Sequence, residues 1–155
     1  MHILNLIIKA LLRRLMDNHY CFNLAMRKSS RLITQFYQGR LTKTGLKVGQ
    51  FSILRAVKFK KETSNKELQS ILVLDQTTLT RNLKPLIRDG YLTLSAHSED
   101  GRQKIISLSP AGLAIYEEAL PIWKAAQDEL QQKVGTAETE KILALANVLV
   151  KTLGN

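Results

Sequence analysis

An intramolecular disulfide is closed to this chain of 155 residues, because it holds a single cysteine, Cys21. A reducing compartment, the cytoplasm, is the simpler expectation. The three histidines, His2, His19 and His97, have no ligand spacing to one another or to Cys21. No dedicated metal site and no cofactor are therefore expected. Neither a glycine-rich phosphate loop nor a paired nucleophile and base stands out, so the chain does not read as an enzyme. Long apolar runs are also missing. The most apolar stretch, Met1 to Met16 (MHILNLIIKALLRRLM), carries Lys9, Arg13 and Arg14, is too short to span a bilayer and lacks a small-residue cleavage site. Neither a membrane span nor a signal peptide fits it, and no membrane partner is expected. No repeat and no low-complexity tract is present.

Acids are scarce where the bases are densest. Met1 to Lys61 holds 13 Lys and Arg against one acid, Asp17, whereas Glu62 to Lys104 holds 6 against 6 and Ile105 to Asn155 holds 4 against 6. The formal charge of +10 favours a polyanionic partner, nucleic acid before an acidic membrane. The length suits one domain with a real core. Residues 1–16 stand apart as an N-terminal extension with three readings: an added helix packing on a dimer, a basic amphipathic segment lying on a membrane, or residues upstream of a true start at Met16.

The chain is organised around Ser64 to Tyr91, SNKELQSILVLDQTTLTRNLKPLIRDGY. Ser64 with Glu67 three residues on forms a capping box, so a helix of about two turns starts at Asn65. Asp75 supplies a second N-cap, and Gln76 to Asp89 carries Leu79, Leu83, Leu86 and Ile87 at the spacing of a core-facing stripe. Gly90 ends that helix. At about 100° per residue, Thr77, Arg81, Lys84 and Arg88 share the opposite face. Short hydroxyls followed by long cations suit a helix whose first half enters a DNA major groove, Thr meeting thymine methyls, Arg bridging guanine and Lys holding phosphate. Any solvated helix face also carries Arg and Lys, and this helix alone does not choose between the two readings.

After Gly90 the period becomes alternating, with Leu92, Leu94 and Ala96 on one side and Thr93, Ser95 and His97 on the other. Asp100-Gly101 is a turn signal, and an Ile-rich strand resumes at Gln103, so Tyr91 to Leu108 reads as a β-hairpin. A hairpin directly after two such helices is a wing. Its tip offers Arg102 and Lys104 to a minor groove or its phosphates, while a solvated turn is the plainer account of the same residues.

The run LDQTTLTRNLKPLIRDGYL, the DGR at the hairpin tip and the closing LSPAG resemble the MarR family of winged-helix regulators, over about Met16 to Leu153. The resemblance implies a mainly α fold with a small β-hairpin wing, a winged helix-turn-helix at 46–108 and long dimerisation helices at 17–45 and 109–155. It implies that Asp100 orients Arg102 for insertion in the minor groove. The DNA-contacting set is then Ser64, Asn65, Gln76, Thr77, Thr78, Arg81, Lys84, Arg88, Asp100, Arg102 and Lys104. Pro85 inside the second helix forfeits a hydrogen bond to the Arg81 carbonyl, and a slight bend without a break is expected there.

Outside the reading head, Asp17 to Gly39 carries Phe22, Met26, Ser29, Ile33, Phe36 and Tyr37 at helical spacing, with Gly39 as the C-cap. The resemblance makes Phe22, Met26, Phe36 and Tyr37 candidates to line a pocket for a small aromatic ligand; core packing is the competing account of each. Leu46 to Val57 is a helix behind the reading head, and Phe59 to Thr63 its exit loop. Ser109-Pro110 starts a helix reaching about Val134, with Leu113, Tyr116, Leu120 and Trp123 as apolar positions and a bend at Pro121. Gly135-Thr136 breaks the chain and caps a last helix with the stripe Ile142, Leu145, Ala146, Leu149 and Leu153.

The leading expectation is a homodimeric, sequence-specific regulator on a pseudo-palindromic operator of double-stranded DNA, a repressor relieved by a small ligand. A winged-helix module that binds a protein and no operator is one alternative. A redox-sensing regulator built on Cys21 is another, since the peroxide-sensing branch of the family carries a cysteine near this position. The residue one turn on is Ala25, where that branch uses tyrosine, and an inert cysteine buried in the core is the plainer expectation.

Overall fold

The computed structural model describes residues 5–9, 21–96 and 104–154. The chain divides into two compact units, Met1–Phe36 and Tyr37–Asn155. In the first, residues 5–9 form a helical turn with Leu6, Ile7 and Ile8 exposed, and α1, Phe22–Leu41, begins. The last turn of α1 belongs to the second unit.

Gly39 is not the end of α1. Leu41, 1% exposed, is drawn into the core, and its burial carries the helix past the glycine into a 3-10 turn at Thr42–Thr44. The stop is Gly45, at φ 75°, a left-handed conformation that glycine adopts without Cβ strain. Gln38 then fixes the exit: its amide donates to the Leu46 carbonyl and its Oε1 accepts from Val48 N–H. Helix α2, Val48–Lys60, starts two residues later than the pattern suggested and runs three residues beyond it.

A short strand that the sequence pattern read as loop follows. β1, Glu62–Ser64, pairs antiparallel with β3, Lys104–Leu108, and β3 pairs with β2, Leu92–Ala96, giving the order β1-β3-β2. Three residues are too few to display an alternation, which is why periodicity missed the strand. Between β1 and β2 lie α3, Asn65–Leu72, and α4, Gln76–Arg88, and after β3 come α5, Pro110–Val134, and α6, Thr136–Leu153. The helix-turn-helix, the wing strands and both long C-terminal helices are thus where the sequence placed them.

One core serves the second unit. Leu41, Leu46, Phe51, Ile53, Leu54 and Val57 meet Leu68 of α3, Leu79, Leu83 and Leu86 of α4, and Leu92 and Ile106 of the sheet. On α5 the residues taken into the interior are small ones, Gly112, Ala119 and Ala126, seven apart. Leu113, Tyr116, Leu120 and Trp123, the expected apolar positions, are half-buried and flank this line. Small residues let the backbone of α5 approach its neighbours, and the larger ones wrap around the contact: Phe51 stacks on Tyr116 at 5.7 Å and lies 6.0 Å from Trp123.

The last helix differs from α1–α5. No residue of α6 is buried, and Ile142, Leu143, Leu145, Val148, Val150 and Leu153 are all exposed. Its N-cap is Gly135, which has no side chain to give, so Thr136 sits inside the helix and does not cap it. Among the described residues no helix is long and apolar enough to cross a membrane.

Candidate nucleic-acid interface

The reading head is built on two caps. Ser64 Oγ accepts from Glu67 N–H at 3.2 Å, and Glu67 Oε2 takes Ser64 N–H at 2.9 Å and the Thr63 hydroxyl at 3.0 Å. These donors, the Ser64 amide foremost, hold the Glu67 carboxyl below its ordinary range. At α4, Asp75 accepts Thr78 N–H and the Thr78 hydroxyl, both at 2.7 Å, and its pKa is lowered chiefly by that amide. Two of the candidate DNA contacts therefore have their hydroxyls engaged in caps, Ser64 and Thr78.

Helix α4 is two-faced as the spacing requires. Leu79, Leu83 and Leu86 are buried, while Gln76, Thr77, Arg81, Lys84 and Arg88 are exposed. The helix runs unbroken through Pro85, and Asp89 N–H bonds the Pro85 carbonyl. Asn82 holds the inner side: its amide donates to the Thr78 carbonyl at 2.8 Å, and it packs beside Gly49 of α2, where a Cβ would come within 3.3 Å of it. Arg88 is paired with its neighbour Asp89 through two N–H···O contacts of 2.7 and 3.1 Å, which lower the pKa of Asp89 and raise that of Arg88. Of the cations on this face, Arg81 and Lys84 have no carboxylate partner among the described residues.

The wing strands are anchored to the end of α4. Ser109 Oγ donates to the Gly90 carbonyl and accepts from Gly112 N–H, and Ser109 N–H bonds the Tyr91 carbonyl, so the helix end, the hairpin base and the start of α5 form one knot. Beside α4 the sheet leaves a groove of about 270 Å³ lined by Asn65, Thr80, Leu83, Lys84, Ile87, Leu94, Lys104 and Ile106. The structure thus gathers three candidate residues, Asn65, Lys84 and Lys104, around one groove. Thr80, exposed on its rim, was missed by the sequence reading, although its place at i+3 from Thr77 puts it beside the outward stripe. Asp100 and Arg102 lie outside the described residues.

The candidate ligand and redox residues are elsewhere. Phe22 is 86% exposed and is in no core among the described residues; Met26 lines an open depression with Arg27, Ser30 and Arg31; Phe36 is half-buried. Tyr37 is buried, which raises its pKa, and its hydroxyl donates to Gln127 Oε1. Cys21 is exposed, contrary to the expectation of a core cysteine. It precedes the first turn of α1 and takes Leu24 N–H on its sulfur at 3.4 Å, a position that solvent reaches because the helix starts only after it.

Comparison with known proteins bears directly on this geometry. The family model described as MarR family matches residues 46–104, the span from two residues before α2 to the start of β3. The organic hydroperoxide resistance transcriptional regulator of Bacillus subtilis is 32% identical over 69% of this chain and 71% of its own length. Among solved structures, the Mycobacterium tuberculosis transcriptional regulator MosR in complex with DNA is 32% identical, with a TM-score of 0.72 over 83% of this chain and 95% of that one. BpsR of Bordetella bronchiseptica, at 20% identity, has the same fold, with a TM-score of 0.78 over 86% of this chain and 95% of its own. Regulators and not enzymes are what the chain resembles along most of its length, and by this kinship it belongs to the MarR family of transcriptional regulators.

Proposed function

We propose that the protein is a homodimeric repressor that reads a pseudo-palindromic DNA operator with two copies of α4, set about 34 to 36 Å apart in successive major grooves. One observation carries the reading: the face of α4 opposite its buried leucines presents Thr77, Arg81 and Lys84 to solvent, with the two cations unpaired among the described residues. Gln76 adds an amide able to meet adenine, and Asn65 and Lys104 hold the flanking phosphates. The family resemblance adds a minor-groove role for Arg102, with Asp100 as the residue that orients it. MosR, at 32% identity, is known in complex with DNA, which supports DNA as the partner. The exposed apolar side of α6 supports the dimer, because such a surface in water calls for a partner. A chromosomal operator puts the protein in the cytoplasm, and a small ligand that favours wrongly spaced heads relieves repression.

Selection of bound fragments from a random DNA pool by the purified chain is the test. Inverted repeats with half-sites one helical turn apart are expected. Fragments without symmetry, or no enrichment over the starting pool, would overturn the reading.

A second reading is favoured by the exposure of Cys21 and by the hydroperoxide-resistance relative. Oxidation of this thiol would then be the signal, with Ala25 in place of a positioning tyrosine. Release of DNA at micromolar organic hydroperoxide by wild type and not by Cys21→Ser would establish it; equal behaviour of the two would remove it.

A further inference from the structure

On the flank of the second unit, α2, the end of α3 and Trp123 of α5 enclose an open groove walled by Phe51, Arg55, Phe59, Ile71, Leu72 and Trp123. None of these belongs to the candidate DNA-contacting set. Phe59 is 87% exposed and Ile71 44% exposed, although Tyr116 and Trp123 pack against Phe51 close by. The Arg55 Cζ lies over the Trp123 ring, 4.4 Å from its centroid, and no carboxylate pairs with Arg55 among the described residues. Lys58, Lys60 and Lys61 follow along the same helix end, all exposed.

The backbone at both rims is strained. Lys61 ends α2 at φ 68° and Val73 ends α3 at φ 50°, the only two non-glycine residues with positive φ among those described. A β-branched residue in the left-handed region is costly, and such strain collects where geometry serves a purpose beyond stability. Here it terminates both helices that wall the groove.

We propose that this groove docks an acidic amphipathic segment of another protein, apolar side chains resting on Phe59, Ile71 and Trp123 and a carboxylate meeting the Arg55 guanidinium. Charge decides between occupants. The N-terminal part of a second copy is a poor fit, since residues 1–61 carry 13 bases and one acid and would oppose four cations with more cations. A small molecule is a poor fit too, because binding pockets bury most of their ligand, whereas the Phe59 wall stands almost wholly in solvent. A segment that brings its own surface covers that wall. An aromatic anchor beside an unpaired arginine is the composition of an interface centre.

The probe is a random 12-residue peptide library displayed on phage and selected against the immobilised full chain. Enriched peptides should combine Asp or Glu with Leu or aromatic residues. A synthetic tryptophan-free winner should produce a saturable change in the emission of Trp123, the only tryptophan of the chain. Arg55→Glu and Phe59→Ser should each weaken binding at least tenfold, whereas Arg81→Ala should leave it unchanged. Both altered side chains are exposed, and circular dichroism would verify that the variants fold. Winners without acids, or winners indifferent to both variants, would overturn the proposal. So would a shift of Phe59→Ser to a smaller species in sedimentation, which would assign the groove to a second copy. DNA selection reads α4 and would be unaffected by any of these outcomes.

Discussion

Two glycines with opposite surroundings decide how tightly the head is fixed. A Cβ on Gly112 would stand 1.8 Å from the Tyr91 carbonyl oxygen, backbone that cannot swing aside, and that carbonyl already accepts Ser109 N–H. Gly112→Ala must push α5 off the hairpin base, so it should cost about 2 kcal/mol or more in urea unfolding. Gly39 has nothing within 4 Å of its would-be Cβ and lies inside α1. Gly39→Ala should therefore raise stability by about 0.5 to 1 kcal/mol through helix propensity; a loss would restore it to the role of helix stop. Base reading is also decided by single residues. Arg81 has no carboxylate partner among the described residues that would spend its guanidinium, so Arg81→Ala should cost roughly 1 to 3 kcal/mol on the best operator and relax preference at one position per half-site. An equal loss on random DNA in a competition gel-shift would move Arg81 to the phosphate contacts.

Among elements, α1 and α5 are tied by polar groups. Arg40 meets Glu129 through contacts of 2.8 and 2.5 Å, and Lys133 adds a third cation contact at 3.0 Å. Arg40 first and Lys133 second bring the Glu129 pKa down from 4.5 to about 2. A carboxylate with a depressed folded pKa stabilises the fold above its unfolded value, and that part is lost as pH falls from about 4.5 towards 2. The Arg40 and Glu129 side chains are 30% and 37% exposed, so screening keeps the effect modest. Thermal unfolding followed from pH 6 to 2.5 should show wild type losing stability more steeply than Glu129→Gln below about pH 4.5. Parallel curves would mean the tie contributes nothing. Elements with side-chain caps or long stripes were the legible ones: Ser64, Asp75 and Ser109 announced their helices, and Leu79, Leu83 and Leu86 announced the buried side of α4. What escaped was set by partners distant in sequence. β1 exists because Thr63 and Ser64 meet Ile106 and Ile105 in β3, and α1 outlasts Gly39 because Leu41 finds a core. On α5, Gly112, Ala119 and Ala126 were hidden because small residues carry little hydrophobic signal. At the interface, the outward face of α4 was readable, but Thr80 and the internal pairing of Arg88 with Asp89 were not.

For the molecule as a whole, the question is what α6 does with an apolar side that none of the described residues of its unit buries. Leu145, 49% exposed, is a better probe than the half-buried Leu149, because a charge at Leu145 costs the single chain little while burying that charge against a second copy would cost several kcal/mol. At micromolar concentration wild type should sediment as a dimer and Leu145→Glu as a monomer. The DNA consequence follows from counting phosphates. Each head that binds releases its own counterions, so a dimer on a full palindrome should have a log-log salt slope about twice that of the monomeric variant. A half-site should look nearly the same to both proteins, since each presents one head to it. Linking two heads also raises the effective concentration of the second, so wild type should prefer the palindrome over the half-site by about 100-fold or more, and Leu145→Glu by only the factor of two that comes from having two places to bind. Four salt titrations, two proteins on two DNAs, measure all of this. A variant that remains dimeric takes Leu145 out of the interface; a monomeric variant that keeps the full palindrome preference and slope would separate dimerisation from operator reading and sink the paired-head model.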